Sequence, residues 1–467
     1  MQKLLINTSS NRTECSCPLC IGVYKEDKKI KHIDNEDINN LLGDLDLSEG
    51  VVNKIYTFGK INNKVLYLIG LGDNNPNLRK IAKVISSVSE DKMQIELDSF
   101  GDVKEVARIF AYELSYNKYC FDELKSIKEE KEQKYKFLSD EDISIEVNNG
   151  LIIGEAVNKT RTLINTPYNH LNAKDLSNYC VNLVKDINNE NLTVEVLGKK
   201  DIEKLKMGAF LAVNKGSFDE PQLITLTYNG NKDSEEYYGL VGKGVMFDTG
   251  GYSLKTNMKT MKTDMAGAAT VIAVMEILAK LNSKCNLKTI ICATDNRIGS
   301  NALLPDDVIV SAKGLTIEIV STDAEGRLTL CDGLWYAQKL GCNKLIDIAT
   351  LTGACVGALG NEITGAFSND EEYIESFEKV TKEITKEKIC VLPYGGQDKE
   401  FIDSSVVADM KNSSEVRLMG ASSAAYFLSR FIEEGNKWIH LDIAGTADKS
   451  GVATGVMIRS LYSFLNK

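Results

Sequence analysis

From residue 173 to the C-terminus, strand-length apolar runs alternate with helical periodicity, and this alternation limits the fold more than any other feature of the chain. Strands are expected at 192–197, 222–228, 237–241, 287–292, 315–320 and 345–349. Helical spacing occupies 173–184 and 266–281. The second helix, AGAATVIAVMEILAKL, is apolar on almost every side and reads as buried. Such alternation predicts an α/β fold: a buried, mostly parallel or mixed sheet with helices on both faces. Active sites in such sheets lie beyond the C-terminal strand ends.

At 467 residues the chain exceeds one ordinary core, so two domains are expected. Residues 1–150 read as a small α/β domain, with a strand at 64–71 and helices at 77–88 and 102–118. Residues 122–136 (DELKSIKEEKEQKYK) are charged and poor in core residues, which suggests an exposed hairpin or linker. Residues 151–467 form the larger domain, opening with a helix at 151–163 that Asn165-Thr166-Pro167 stops.

The net charge of −11 argues against a constitutive nucleic-acid binder. No apolar run approaches the roughly 18 residues of a membrane span, and the start (MQKLLINTSS) lacks a signal-peptide core, so a cytoplasmic location is the default. The 11 cysteines are odd in number and scattered, which favours free thiols. Cys15, Cys17 and Cys20 (CSCPLC) lack a nearby fourth zinc ligand and read as part of a surface loop. His32, His170 and His440 lie outside the acid-rich segments and read as ordinary surface or core residues.

Two Gly-rich segments carry the chemistry: GKGVMFDTGGYSLK at 242–255 and STDAEGRL at 321–328, with Asp264 between them. Asp248 is expected just past a strand that ends near Lys243, and Asp264 at the start of the apolar helix. Asp323 and Glu325, two apart in extended backbone, would face one way. Four converging carboxylates repel one another and take up protons unless cations neutralise them. Two divalent cations do so, and oxygen-rich donors suit Mg, Mn or Zn. Cations roughly 3.5–4 Å apart lower the pKa of a water between them, the arrangement of two-metal hydrolases. Lys243 between glycines allows close approach; beside a dication its neutral amine can act as a ligand. Lys255 is placed to polarise a carbonyl, and Arg327 offers a fixed cationic fork. A phosphate-binding loop does not fit, because Tyr237 stands where its first Gly is needed and Gly244 replaces Ser/Thr.

At these residues the chain resembles the leucyl aminopeptidase family of two-metal exopeptidases, the M17 type. TDMAGAA at 263–269, NTP at 165–167, MGAFLAVNKGS at 207–217, DIATLTGA at 347–354, ADMKN at 408–412 and HLDIAGTA at 440–447 match as well, so the likeness covers roughly 150–467. The resemblance implies that Lys243, Asp248, Asp264 and Glu325 hold a tighter metal ion, Mn or Zn. Asp248, Asp323 and Glu325 would hold a more exchangeable one, with the Asp323 carbonyl as a further ligand. It also implies that Lys255 stabilises an oxyanion and that Arg327 holds a bicarbonate acting as general base. Met261, Thr350, Gly353 and Ala444 would line the pocket for the first side chain. Peptides with a free N-terminal amine are the implied substrates, and a homohexamer the implied assembly. Ser321 in place of Asn, Ala447 in place of a bulky Met in some members, and the altered stretch 295–307 bear on specificity rather than on the reaction. The competing reading is a DNA-binding or scaffold role with little peptidase activity.

Overall fold

The computed structural model describes residues 2–12, 15–128, 131–416 and 418–466. The chain divides into two compact units, Met1–Asn158 and Lys159–Lys467, and the division falls within the helix Ser144–Asn165.

The first unit is built on a six-stranded sheet in the order Gln2–Ser9, Lys131–Leu138, Lys92–Glu96, Leu19–Val23, Val65–Gly70, Val52–Tyr56. Its first five strands are parallel and the last is antiparallel. The helix Val103–Asn117 starts where the Asp102 side chain accepts from Glu105 N at 2.9 Å. That helix sends Phe110 edge-on to Phe100, with ring centroids 5.0 Å apart, inside the core. The strand Lys131–Leu138 corrects the last part, 131–136, of the segment read as an exposed hairpin or linker; 123–128 is exposed and irregular as expected, and 129–130 lie outside the described residues. Tyr135 and Phe137 are buried on alternate positions, and the lysines between them hid the two-residue period. Cys15 and Cys17 form a disulfide, against the expectation of free thiols, and Cys20 is buried in the neighbouring strand.

The second unit is built on an eight-stranded mixed sheet. Its order is Ile389–Val391, Thr364–Ser368, Lys437–Asp442, Cys342–Ala349, Tyr237–Asp248, Asn286–Asn296, Gln222–Asn229, Leu192–Leu197. The four strands from Lys437–Asp442 to Asn286–Asn296 are mutually parallel. Helices cover both faces. On the Tyr237–Asp248 strand, Gly242 abuts Ala268 of the helix Ala266–Lys280, while the adjacent Val241 abuts Gly333 of the helix Gly326–Lys339. Successive strand residues point to opposite faces, so the two helices sandwich the sheet. The first helix lies very close: a Cβ on Gly267 would sit 2.0 Å from the Ile348 carbonyl oxygen. That approach brings the turn before the helix down onto the strand ends.

Three local expectations change. The strand expected to stop near 241 runs on to Asp248, so Lys243 lies inside it. Asp264 belongs to the 3-10 turn Met261–Met265 and not to the helix that follows. The 315–320 run contributes only Thr316–Glu318, to a separate three-stranded sheet with Val308–Val310 and Met410–Lys411.

Candidate active site

The C-terminal ends of the parallel strands carry Asp248, Asn296, Ala349 and Asp442, where a doubly covered sheet places its reactive groups. Lys243 is only 3% exposed. Its Nζ donates to Asp264 Oδ1 at 2.7 Å and to the Thr350 carbonyl at 2.9 Å, and lies 2.9 Å from Glu325 Oε1. Lys255 Nζ lies 2.6 Å from Asp248 Oδ2 and 2.5 Å from Asp323 Oδ1. Oxygens of Asp248, Asp323 and Glu325 all lie within 4.8 Å of one another. The structure thus brings the four acids and both lysines into one centre.

Local backbone explains this convergence. Gly250 and Gly251 adopt positive φ (84° and 58°), which turns the chain back after Asp248 so that Lys255 returns to it. The Asp323–Glu325 segment is a turn and not the expected extended backbone: Glu325 sits in helical geometry at the N-cap of Gly326–Lys339. The turn itself brings both acids to one side. Ser321, standing where Asn was expected, accepts from Asp323 N through Oγ at 3.2 Å and so keeps a side-chain hold on the turn. A Cβ on Gly326 would lie 2.4 Å from Lys243 Cε, which makes this close packing a requirement of the lysine's position.

The electrostatics follow from four carboxylates facing two ammoniums. Burial, together with repulsion from Glu325 and Asp248, raises Asp264 well above the ordinary range and Asp323 to about 6. Burial and the neighbouring Asp248 raise Glu325 as well. Burial disfavours charge on Lys243 and Lys255, but the surrounding carboxylates outweigh it and hold both protonated. The centre therefore retains protons that cations would displace. Two buried carboxylate oxygens, Asp264 Oδ2 and Glu325 Oε2, have no hydrogen-bond donor among the described residues. Orphaned carboxylate oxygens beside ammoniums that sit between acid pairs fit a site for divalent cations.

Arg327 lies in the first turn of its helix, 6% exposed. Its Nη1 donates to the Asn412 carbonyl at 2.8 Å, while Nε has no acceptor among the described residues. Burial lowers its pKa to about 10 against the opposing pull of Glu325 and Asp442. A buried guanidinium with an open donor fits a small anion.

Of the expected pocket residues, Thr350, Gly353 and Ala444 come together. Thr350 Oγ1 donates to Asp264 Oδ1 at 2.8 Å, and Gly353 opens the helix Gly353–Leu359. Asp442 Oδ1 accepts from Ala444 N at 3.1 Å and from Leu351 N at 3.2 Å. Met261 opens the 3-10 turn that carries Asp264. Ala447, 3% exposed, is buried in the turn that follows.

Four polar residues to which sequence reasoning gave no role hold this centre. The Asn296 amide donates to Asp248 Oδ1 and to the Thr322 carbonyl. Thr322 Oγ1 donates to the Gly250 carbonyl at 2.6 Å. Asn412 accepts from Val320 N at 2.8 Å and donates to the Ser321 carbonyl at 2.7 Å. Asp442 is the fourth. Asn412 and Asp442 fall inside family-like segments, ADMKN and HLDIAGTA, which was the available signal. His440, read as ordinary, is fully buried, paired through Nδ1 with Asp347 Oδ1 at 2.6 Å and stacked on Phe367.

Buried acids and lysines thus gather beyond the C-terminal ends of the central parallel strands of a covered α/β sheet. The model of the cytosol aminopeptidase family, catalytic domain, matches residues 158–462. The chain belongs to the cytosol aminopeptidase family, whose members are metal-dependent peptidases, and this region is its catalytic domain. Among the described residues, no helix is long and apolar enough to cross a membrane.

Proposed function

We propose that this protein is a leucyl-type metalloaminopeptidase that releases N-terminal residues from peptides with a free α-amine. One observation carries the reading: two orphaned, buried carboxylate oxygens, Asp264 Oδ2 and Glu325 Oε2, adjoin two lysines interleaved with four acids. Lys243, Asp248, Asp264 and Glu325 would hold the tighter ion. Asp248, Asp323 and Glu325 would hold the exchangeable one, with Asp248 and Glu325 shared. When bound, the pair of divalent cations, Mn or Zn, supplies a water of lowered pKa and positive charge beside the scissile carbonyl.

The chain's own groups do the rest. Lys243, held protonated without a cation, would release that proton to solvent and offer its neutral amine as a ligand when a cation is bound. Lys255, at the rim of the centre with its side chain 21% exposed, donates to the oxygen that gains charge as the carbonyl is attacked. Arg327 fixes a bicarbonate as general base, so that the proton lost by water reaches the leaving amine. Thr350, Gly353, Ala444 and Met261 surround the first side chain. A homohexamer is the assembly that the family resemblance implies. A cytoplasmic location accords with the same reading.

The test uses metal-stripped protein and a panel of aminoacyl p-nitroanilides, with and without an N-acetyl cap, before and after Mn or Zn is restored. Metal-restored cleavage of uncapped substrates alone is expected. Equal cleavage of capped substrates, or full activity without metal, overturns the reading.

A further inference from the structure

Asp442 ends the strand Lys437–Asp442, in register with Ala349 of the neighbouring parallel strand, and is 1% exposed. Its two oxygens collect donors from two separate loops. Oδ1 accepts from Leu351 N at 3.2 Å, from Thr352 N at 3.5 Å and from Ala444 N at 3.1 Å. Oδ2 accepts from Thr352 Oγ1 at 2.7 Å. Thr352 Oγ1 in turn accepts from Cys355 N at 3.0 Å and caps the helix Gly353–Leu359. Two residues before Thr352 in the same loop, Thr350 contacts both Asp264 and Lys243. A single buried carboxylate therefore ties the 350–353 loop to the Ala444 turn, and that loop also touches the acidic centre.

We infer that Asp442 is a positioning residue that sets the spacing of the pocket for the N-terminal side chain, and with it the choice among substrates. This rests on the aminopeptidase reading and adds to it a residue that touches neither substrate nor metal ligand. The reason is mechanical. Charge-assisted bonds from two loops to one carboxylate fix their separation more stiffly than neutral bonds would. The other described hydrogen bond between these segments is at their base, where Ile443 N donates to the Ala349 carbonyl at 2.8 Å, so the Asp442 carboxylate holds the parts beyond it. Without the shared acceptor, only the bond at the base and the strand register remain, the Thr350 and Ala444 backbones gain freedom, and selectivity for one side-chain shape declines.

The experiment compares wild type, Asp442→Asn and Asp442→Ala. It reads kcat and KM on leucyl, methionyl, alanyl and glycyl p-nitroanilides, Mn binding by calorimetry, and thermal melting. Asp442→Ala is expected to lower kcat/KM on the preferred substrate about a hundredfold, the scale of a 1 Å misplacement. The ratio of preferred to alanyl substrate should shrink with it, through a raised KM, while Mn still binds. Asp442→Asn keeps an Oδ1 acceptor and should fall between, with a smaller but measurable change in that ratio. A uniform loss across all four substrates overturns the inference, because simple structural damage has no preference. If Asp442→Ala does not fold, Asp442→Asn decides: wild-type ratios overturn the inference and altered ratios uphold it. Cleavage by wild type with unchanged ratios in the variants removes only this inference. Absence of cleavage by metal-loaded wild type removes the aminopeptidase reading and this inference together.

Discussion

The Asn296 amide nitrogen donates to Asp248 Oδ1 at 2.8 Å and to the Thr322 carbonyl at 3.0 Å. Asn296 and Asp248 are partners in the parallel register of their strands, so one amide spans the two acid-bearing segments at the place where they meet. Groups that orient a ligand typically matter about 10–100-fold in metal affinity. Asn296→Ala should therefore weaken Mn binding by about that factor in a calorimetric titration. Unchanged affinity would mean that Gly250 N, the other donor to Asp248 Oδ1, is sufficient.

Glu325→Ala removes one of the two acids that flank Lys243, whose ammonium is almost fully enclosed. Taking one partner from a buried ion pair costs about 3–5 kcal/mol. Urea denaturation in the presence of a chelator should register that loss, and metal analysis should find fewer than two Mn per chain. Peptidase activity should vanish as well. A variant that retained both ions and full turnover would show that Glu325 is not a ligand.

Asp323 gives a pH dependence with a definite sign. Burial, then Glu325 and Asp248, raise its carboxyl from the ordinary 3.8 to about 6. The folded metal-free chain thus holds a proton that the unfolded chain releases. Stability from this group is complete below about 3.8 and is lost as pH rises through about 6. Melting curves of chelated protein between those limits should decline more steeply with pH for wild type than for Asp323→Asn. Metal binding runs the other way, since the ion displaces the proton and binds more tightly above about pH 6. Parallel melting profiles for the two proteins would contradict this account.

Gly326→Ala tests how closely the acid turn must approach the strand. The added methyl would stand 2.4 Å from Lys243 Cε and 3.0 Å from Leu351 Cδ1. Overpacking of this kind costs about 1–3 kcal/mol, and here the group that yields is Lys243 itself. A lower melting temperature together with weaker Mn binding is expected. Wild-type metal affinity in a well-folded variant would show that Lys243 can shift without leaving its role.

Much of this centre was readable in the chain because Gly, Lys, Asp and Glu at fixed spacing after apolar runs leave few other chemistries. The same spacing misjudged backbone geometry at two acids. Asp323 and Glu325 share a side because of a turn and a helix start, and period-two reasoning cannot distinguish that from a strand. Asp264 looked like a helix residue because the apolar helix begins two residues later, with nothing in the intervening sequence to mark a 3-10 turn. The strand Lys131–Leu138 escaped notice because lysines on its outward positions outweighed Tyr135 and Phe137 in composition. Asn296 and Asp442 were legible as residues but not as supports. Apart from Ala444, their partners lie 26 to 91 positions away, and only the tertiary fold brings them together.

Arg327 carries the last prediction. Its Nη1 is engaged by the Asn412 carbonyl and its Nε faces no acceptor among the described residues, so the guanidinium keeps donors for an anion. Lysine is a point charge without a fork and cannot hold Asn412 and a planar anion in the same geometry. Arg327→Lys should therefore lower kcat about a hundredfold or more, the range for losing a positioned proton acceptor, with Mn affinity nearly intact. Added bicarbonate separates this from general damage. Wild type depleted of bicarbonate should recover rate as the anion is returned, whereas Arg327→Lys should respond weakly or not at all. An equal response in both proteins would place the anion elsewhere and leave Arg327 as a structural cation bound to Asn412.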